Sequence, residues 1–169
     1  RLETQTQPDQ PQPVAVPGLL AQVREDAQRL SGEQGHHISL EADPELWLNG
    51  SESELRSLFS NLAFNAVRYT PSGGRISLRW YGDALGAHFA IQDSGIGIAA
   101  HHIPRLTERF YRVDVGRSRG SGGTGLGLAI VKHVLLRHDG QLDIHSEPGK
   151  GSTFICSFAP ARVLRQARP

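Results

Sequence analysis

The chain has 169 residues, of which 38% are hydrophobic and 21% charged, and its formal net charge is +1. This length suits one domain with a buried core, and the balanced charge excludes a disordered acidic or basic chain and a large electrostatic footprint for nucleic acid. A single cysteine, Cys156, excludes an internal disulfide, and no apolar run approaches the length of a membrane span. Because the chain lacks methionine and begins at Arg1, we expect it to be a piece of a longer protein.

Composition divides the chain into three parts. Residues 1–13 contain three prolines and four glutamines, which is typical of a linker, and residues 161–169 form a short basic tail. Residues 14–160 carry the periodic patterns of helices and strands, so we expect the domain there.

Helical and strand periodicities are mixed along this domain. Ser51 and Glu54 form a capping box, and Gly140 is expected to end the last helix in the left-handed conformation. Three helices are predicted: the first begins after Pro17, the second covers 51–69 and the third covers about 126–139. The predicted strands are 37–41, 46–48, 75–81, 87–92, 142–146 and 153–158. This order predicts a two-layer α/β sandwich, with a mixed sheet and its helices on one face.

Four polar residues share one face of the second predicted helix, beside its apolar stripe: Asn61, Asn65, Arg68 and Tyr69. A carboxamide oxygen is a hard, neutral ligand that Mg²⁺ accepts alongside phosphate and water. The pattern therefore allows a binding cluster at the edge of the core. A solvated helix face is the alternative, since most helices need one.

The run Asp93–Gly97, which reads DSGIG, follows a predicted strand. An ionised aspartate accepts hydrogen bonds and donates none. Beside glycines that admit a flat ligand, it suits the exocyclic amine of adenine and repels the carbonyl at the same edge of guanine. An Asx turn at the end of a strand is the alternative.

A glycine-rich segment leads into the third predicted helix, since six of the twelve residues from Gly116 to Gly127 are glycine. Free backbone N–H groups at a helix N-terminus suit a polyphosphate. Arginines spread ahead of that helix suit a mobile lid that reaches phosphate: Arg105, Arg109, Arg112, Arg117 and Arg119. We expect high mobility over 114–123. A plain glycine-rich loop is the alternative.

Other familiar sites fit less well. The spacing around Lys150 does not match a Walker A loop, and the glycines before the third helix miss the dinucleotide-binding count. Adjacent histidines, as at His36–His37 and His101–His102, point apart, so a zinc site is not expected.

Taken together, these blocks resemble the catalytic ATP-binding domain of sensor histidine kinases, within the wider gyrase, chaperone and kinase superfamily. Residues 61–66 are similar to the N box, 93–97 to the first glycine box, 109–112 to the F box, 123–128 to the second glycine box and 149–154 to the closing turn and strand. The resemblance covers 14–159 and implies the Bergerat fold with ATP and Mg²⁺ as cofactors. Residues 102–114 carry a narrower resemblance to one sensor in this family.

The resemblance also implies roles for individual residues. Asn65 would hold Mg²⁺ and Asn61 would position the phosphates, which makes these two the expected catalytic positions, while Asp93 would bind the adenine amine. The other nucleotide contacts that it implies are Arg68, Tyr69, Gly95, Gly97, Ile98, Phe110, Tyr111, Arg112, Gly123, Thr124, Gly125, Leu126, Gly127, Leu128 and Thr153.

The implied function is γ-phosphoryl transfer to a histidine on a dimerisation domain outside this chain, and then to an aspartate of a response regulator. The whole protein would be a homodimeric inner-membrane sensor with this domain in the cytoplasm, and Arg1–Glu3 would end the preceding helix. Efficient ATPases of the superfamily carry a glutamate where Asn61 stands, so slow hydrolysis is expected. The alternatives are a degenerate nucleotide fold that serves only protein contacts and an ATPase of the chaperone or repair class.

Overall fold

The computed structural model describes residues 10–98, 100–105 and 127–166, and these ranges contain both helices and strands. The helices are α1 (Val16–Ser31), α2 (Glu52–Tyr69) and α3 (Gly127–Arg137). The strands are β1 (Gln12–Val14), β2 (His37–Ala42), β3 (Leu46–Gly50), β4 (Arg75–Asp83), β5 (Gly86–Asp93), β6 (Gly140–Glu147), β7 (Gly151–Phe158) and β8 (Val163–Arg165). None of the helices in these ranges combines the length and apolar character needed to cross a membrane.

The main sheet has five strands in the order β2-β4-β5-β7-β6, and β2 and β4 are parallel while the other pairs are antiparallel. The predicted mixed sheet is thereby confirmed. A second sheet of three strands, β1-β3-β8, was not anticipated from the sequence. Its outer strands lie at Gln12–Val14 and Val163–Arg165, so the packed structure extends past both predicted boundaries of the domain.

The core lies between the helices and one face of the main sheet. Along β4, Ile76, Leu78 and Trp80 are buried while alternate residues are more exposed, as a half-buried strand requires. Phe59 of α2 packs edge-on against Trp80 and against Phe89 of β5, with ring centroids 6.3 and 4.9 Å apart. This packing fixes α2 across the sheet, which determines where its polar edge lies.

Polar contacts cap the start of α2 and join it to the end of α3. The Glu54 backbone N–H donates to the Ser51 hydroxyl at 3.3 Å, so Ser51 is the N-cap of α2. The reciprocal half of the predicted capping box is absent, because the Ser51 backbone N–H donates to His138 Nε2 at 3.1 Å. The Glu54 carboxylate accepts from Arg137 Nε at 2.9 Å and so ties α2 to α3. The prediction for Gly140 was wrong, because Gly140 begins β6 and Asp139 takes the left-handed conformation with φ 54°. Aspartate tolerates this conformation, and Arg162 holds its carboxylate.

Candidate functional site

The N-terminus of α3 lies against the polar edge of α2. A Cβ on Gly127 would be 2.9 Å from Asn61 Oδ1 and 3.7 Å from Asn65 Nδ2. The Asn61 amide N–H donates to the Ser57 carbonyl at 2.7 Å, and this contact leaves the Asn61 oxygen directed at the start of α3. The structure thus brings two predicted asparagines to a helix N-terminus, where backbone N–H groups and the helix dipole favour an anion.

Asn65 presents its carboxamide oxygen on the same edge. Asn65 Oδ1 accepts a hydrogen bond from Arg68 Nη1 at 3.0 Å, and Arg68 is exposed. A neutral amide oxygen keeps acceptor capacity beyond one such bond. Its chemistry therefore fits a hard cation such as Mg²⁺, and the neighbouring guanidinium fits a phosphate.

The first glycine motif lies at the other end of α2. The Ile96 backbone N–H donates to the Tyr69 carbonyl at 3.3 Å, and a Cβ on Gly95 would be 2.5 Å from that same oxygen. A side chain at position 95 would therefore collide with the end of α2. The absence of a side chain lets the turn after β5 close onto the helix and carries Asp93 to its C-terminus.

The Asp93 carboxylate is held from two sides. Its Oδ1 accepts from the Gly95 backbone N–H at 2.8 Å, as an Asx turn requires, and the Ser152 backbone N–H also donates to the carboxylate. Burial raises the pKa of Asp93, while these two hydrogen bonds act in the opposite direction. The predicted turn and the predicted recognition carboxylate are thus compatible, because an ionised carboxylate has about four acceptor positions and these two hydrogen bonds use two of them.

The second glycine of this motif lies against the end of β6. Gly97 has φ 74°, and a Cβ there would be 1.9 Å from the Glu147 carbonyl, so only glycine fits. Ile98 donates its backbone N–H to Ser146 Oγ at 2.7 Å. Both residues therefore act through the backbone, by attaching the segment after Asp93 to the turn between β6 and β7.

The predicted residue Thr153 does not join this group. Along β7, Phe154, Cys156 and Phe158 pack in or against the core, and Ser152 shares their face because side chains alternate along a strand. Thr153 lies on the opposite face of the sheet. Ser152, which pairs in register with Asp93 and whose hydroxyl lies 2.7 Å from Ser146 Oγ, was missed. Counting the alternation back from Phe158 would have found it.

Some of the predicted site lies outside the described residues. This applies to Phe110, Tyr111, Arg112, Gly123, Thr124, Gly125 and Leu126, and to the expected mobility of 114–123. Of the second glycine box, Gly127 and Leu128 are described. Leu128 is partly buried and packs against the hydrophobic core, so it anchors the first turn of α3.

The described site residues follow one edge of α2. Asn61 and Tyr69 are eight residues apart, or about 12 Å along a helix axis. The N-terminus of α3 lies at the Asn61 end, and the Asp93 carboxylate lies at the Tyr69 end. The arrangement can therefore hold an elongated ligand with a negatively charged group at one end and a hydrogen-bond donor at the other.

Comparison with known proteins agrees with this geometry. Residues 50–162 match the family model described as histidine kinase-, DNA gyrase B- and HSP90-like ATPase. The chain is 60% identical over 168 residues to the phosphate regulon sensor protein PhoR of Pseudomonas aeruginosa. The matched region covers 99% of this chain and 38% of that protein. This is the sensor that residues 102–114 resemble. The chain thus spans 38% of the length of this relative.

Two solved structures share the fold. A mycobacterial sensor histidine kinase, MprB, superposes with a TM-score of 0.77 at 28% identity over 88% of this chain and 97% of that one. Full-length ShkA, solved in complex with AMPPNP, gives a TM-score of 0.77 at 31% identity over 94% of this chain and 32% of that one. The predicted fold class is confirmed. The chain belongs to the histidine kinase-, DNA gyrase B- and HSP90-like ATPase family.

Proposed function

We propose that this domain binds Mg·ATP along the edge of α2 and presents its γ-phosphate to a histidine of a separate dimerisation domain. The observation that carries this proposal is the placement of Asn61 and Asn65 on one edge of α2 with Asp93 near the C-terminal end of that helix, while the N-terminus of α3 lies against the asparagines. The adenine would lie against Asp93, which accepts hydrogen bonds from its exocyclic amine. The phosphates would lie toward Gly127.

Mg²⁺ would be held by Asn65 Oδ1 together with phosphate oxygens and water, and when bound it would neutralise charge on the transferring group. Arg68 lies beside the same carboxamide and would contact phosphate. Asn61 would position the phosphates through its oxygen, since its amide nitrogen is bound to Ser57. These residues hold and orient the nucleotide.

No described residue at this edge of α2 is a general base for water. Asn61 cannot accept a proton at neutral pH, so the γ-phosphate would wait for an external nucleophile. Of the described histidines, His36, His88 and His138 are buried and hydrogen-bonded. His37, His133 and His145 are exposed, but no histidine of the sequence stands in the H-E/D-x-R-T-P run that usually carries the acceptor in sensor histidine kinases, so the acceptor would belong to another domain.

The relatives support a finer proposal for the whole protein. Since a phosphate regulon sensor is 60% identical over nearly this entire chain, we infer a homodimeric, membrane-anchored sensor of phosphate supply. It would pass the phosphoryl group from its histidine to an aspartate of a response regulator.

Two measurements test the proposal. Calorimetry should detect Mg·ADP binding by the 169-residue chain, with affinity falling at least about tenfold in Asp93→Ala, because a hydrogen bond to a charged group is lost. Labelled ATP mixed with this chain and a separate histidine-bearing dimerisation domain should yield phosphohistidine. Absence of nucleotide binding at millimolar ADP would instead support the degenerate, protein-contact module.

A further inference from the structure

We propose that Thr70 is a positioning residue for the adenine-binding carboxylate, and that its hydroxyl donates a hydrogen bond to Asp93 when nucleotide is bound. The inference rests on the proposed function, because it concerns the same nucleotide site.

The Thr70 hydroxyl is buried without a partner. Thr70 is 2% exposed, and within the described ranges Oγ1 is the one buried side-chain nitrogen or oxygen that makes no hydrogen bond. Leaving a buried hydroxyl unpaired is destabilising, and such groups are rare in folded proteins. Each such group calls for an explanation, and a partner that is supplied when ligand binds is one explanation.

The rest of Thr70 is fixed in place. Its carbonyl oxygen accepts a hydrogen bond from His36 Nε2 at 2.6 Å, and His36 is itself buried and bonded through Nδ1 to the Ser31 hydroxyl at 2.7 Å. The Thr70 methyl group lies against Gly74, where a Cβ would come within 2.3 Å of it. With the backbone and methyl group held, the hydroxyl keeps one direction.

That direction is toward the Asp93 turn. Three oxygen atoms surround the point where a side chain on Gly95 would begin: Tyr69 O at 2.5 Å, Asp93 Oδ1 at 2.8 Å and Thr70 Oγ1 at 3.2 Å. Because Gly95 has no side chain, nothing at that point separates the hydroxyl from the other two oxygens.

Of these two oxygens, the carboxylate is the better acceptor. Tyr69 O already accepts from the Ile96 backbone N–H. A carboxylate has about four lone-pair positions, and hydrogen bonds to an ionised acceptor are the stronger kind. A small movement of the turn toward the end of α2 would bring Asp93 Oδ1 and Thr70 Oγ1 into hydrogen-bond distance. The added bond would hold the carboxylate ionised and aimed at the exocyclic amine.

The test separates the hydroxyl from the shape of the side chain. Thr70→Val keeps the branched shape and removes the hydroxyl, while Thr70→Ser keeps the hydroxyl. We expect Thr70→Val to bind ADP about five- to twentyfold more weakly than wild type, and Thr70→Ser to stay within about twofold. Without nucleotide, the thermal midpoint of Thr70→Val should equal or exceed that of wild type, because an unpaired buried hydroxyl has been removed.

A double-mutant cycle identifies the residue through which Thr70 acts. In an Asp93→Asn background, Thr70→Val should have little further effect on ADP affinity, and additive losses would overturn the proposal. Equal affinity of wild type and Thr70→Val, or a lower midpoint of Thr70→Val without nucleotide, would overturn it too. If wild type itself does not bind ADP, the proposed function fails instead.

Discussion

Asn61 and Gly127 meet across the two helices that flank the site, with Asn61 Oδ1 2.9 Å from the position of a Cβ on Gly127. The contact is tight enough that a methyl group would have to displace the carboxamide. Because Ser57 holds the other side of that carboxamide, displacement has a cost. The absence of a side chain at position 127 therefore lets the N-terminus of α3 approach α2.

Gly127→Ala should weaken Mg·ADP binding by about fivefold, since pushing the Asn61 carboxamide aside costs about as much as one hydrogen bond. Calorimetry measures this. Gly18→Ala is the matched control, because nothing lies within 4 Å of a Cβ at that position in α1. The control should raise the free energy of unfolding by about 0.5–1 kcal/mol and leave affinity unchanged. Equal affinity of Gly127→Ala and wild type would contradict the contact.

Asn65→Ala should remove the magnesium dependence of nucleotide binding. We expect wild type to bind ADP more tightly with Mg²⁺ than with EDTA, and Asn65→Ala to bind it equally in both buffers, because the carboxamide oxygen that would hold the cation is gone. Titration of both proteins in both buffers gives four affinities. If the variant retains the full difference between the buffers, the cation is held elsewhere.

Ser152→Val and Thr153→Val distinguish the two faces of β7. Valine at 152 should lower ADP affinity more than about tenfold, because the larger side chain enters the space beside Asp93 on the helix-facing side of the sheet. Valine at 153, on the opposite face, should leave affinity within about twofold. Both substitutions suit a strand, so the pair is matched in backbone preference. The reverse ranking would contradict the face assignment.

His138 should make the domain less stable in mild acid. Nδ1 donates to the Val134 carbonyl at 2.8 Å, and Nε2 accepts from the Ser51 backbone N–H at 3.1 Å, so the buried ring is neutral. Burial lowers the pKa of His138 below its ordinary value of 6.5; the Glu54 carboxylate opposes this, and Arg137 and Arg162 add to it. Below pH 6.5 the unfolded chain binds a proton that the folded domain does not, so the free energy of unfolding falls as pH drops.

Urea denaturation at pH 7.5 and pH 5.5 checks this prediction. His138→Gln should lose part of the decrease between the two pH values that wild type shows. His133→Gln, at an exposed position of the same helix, should retain it. A difference between wild type and His138→Gln that is the same at both pH values would mean that His138 does not contribute to the acid sensitivity.

Local signals in the sequence predicted most of the elements and much of the site. The N-cap at Ser51 and the apolar spacing of α2 determine that helix, because both act within a few turns of chain. The polar edge of α2 and the DSGIG turn could be recognised for the same reason. The face of β7 on which Ser152 lies could also have been predicted from the sequence, since alternation along a strand is a local property.

Contacts between distant segments were decided by the tertiary structure alone. The pairing of β1 and β8 with β3 draws residues from both predicted flanks into a sheet, and no local pattern encodes such a partner. The same holds for the approach of Gly127 to Asn61 and for the unpaired hydroxyl of Thr70, which depends on His36, Gly74 and Gly95 together. Sequence determines which groups are present and how each segment folds. Packing determines which of those groups meet, because burial against a common core is a property of the whole chain.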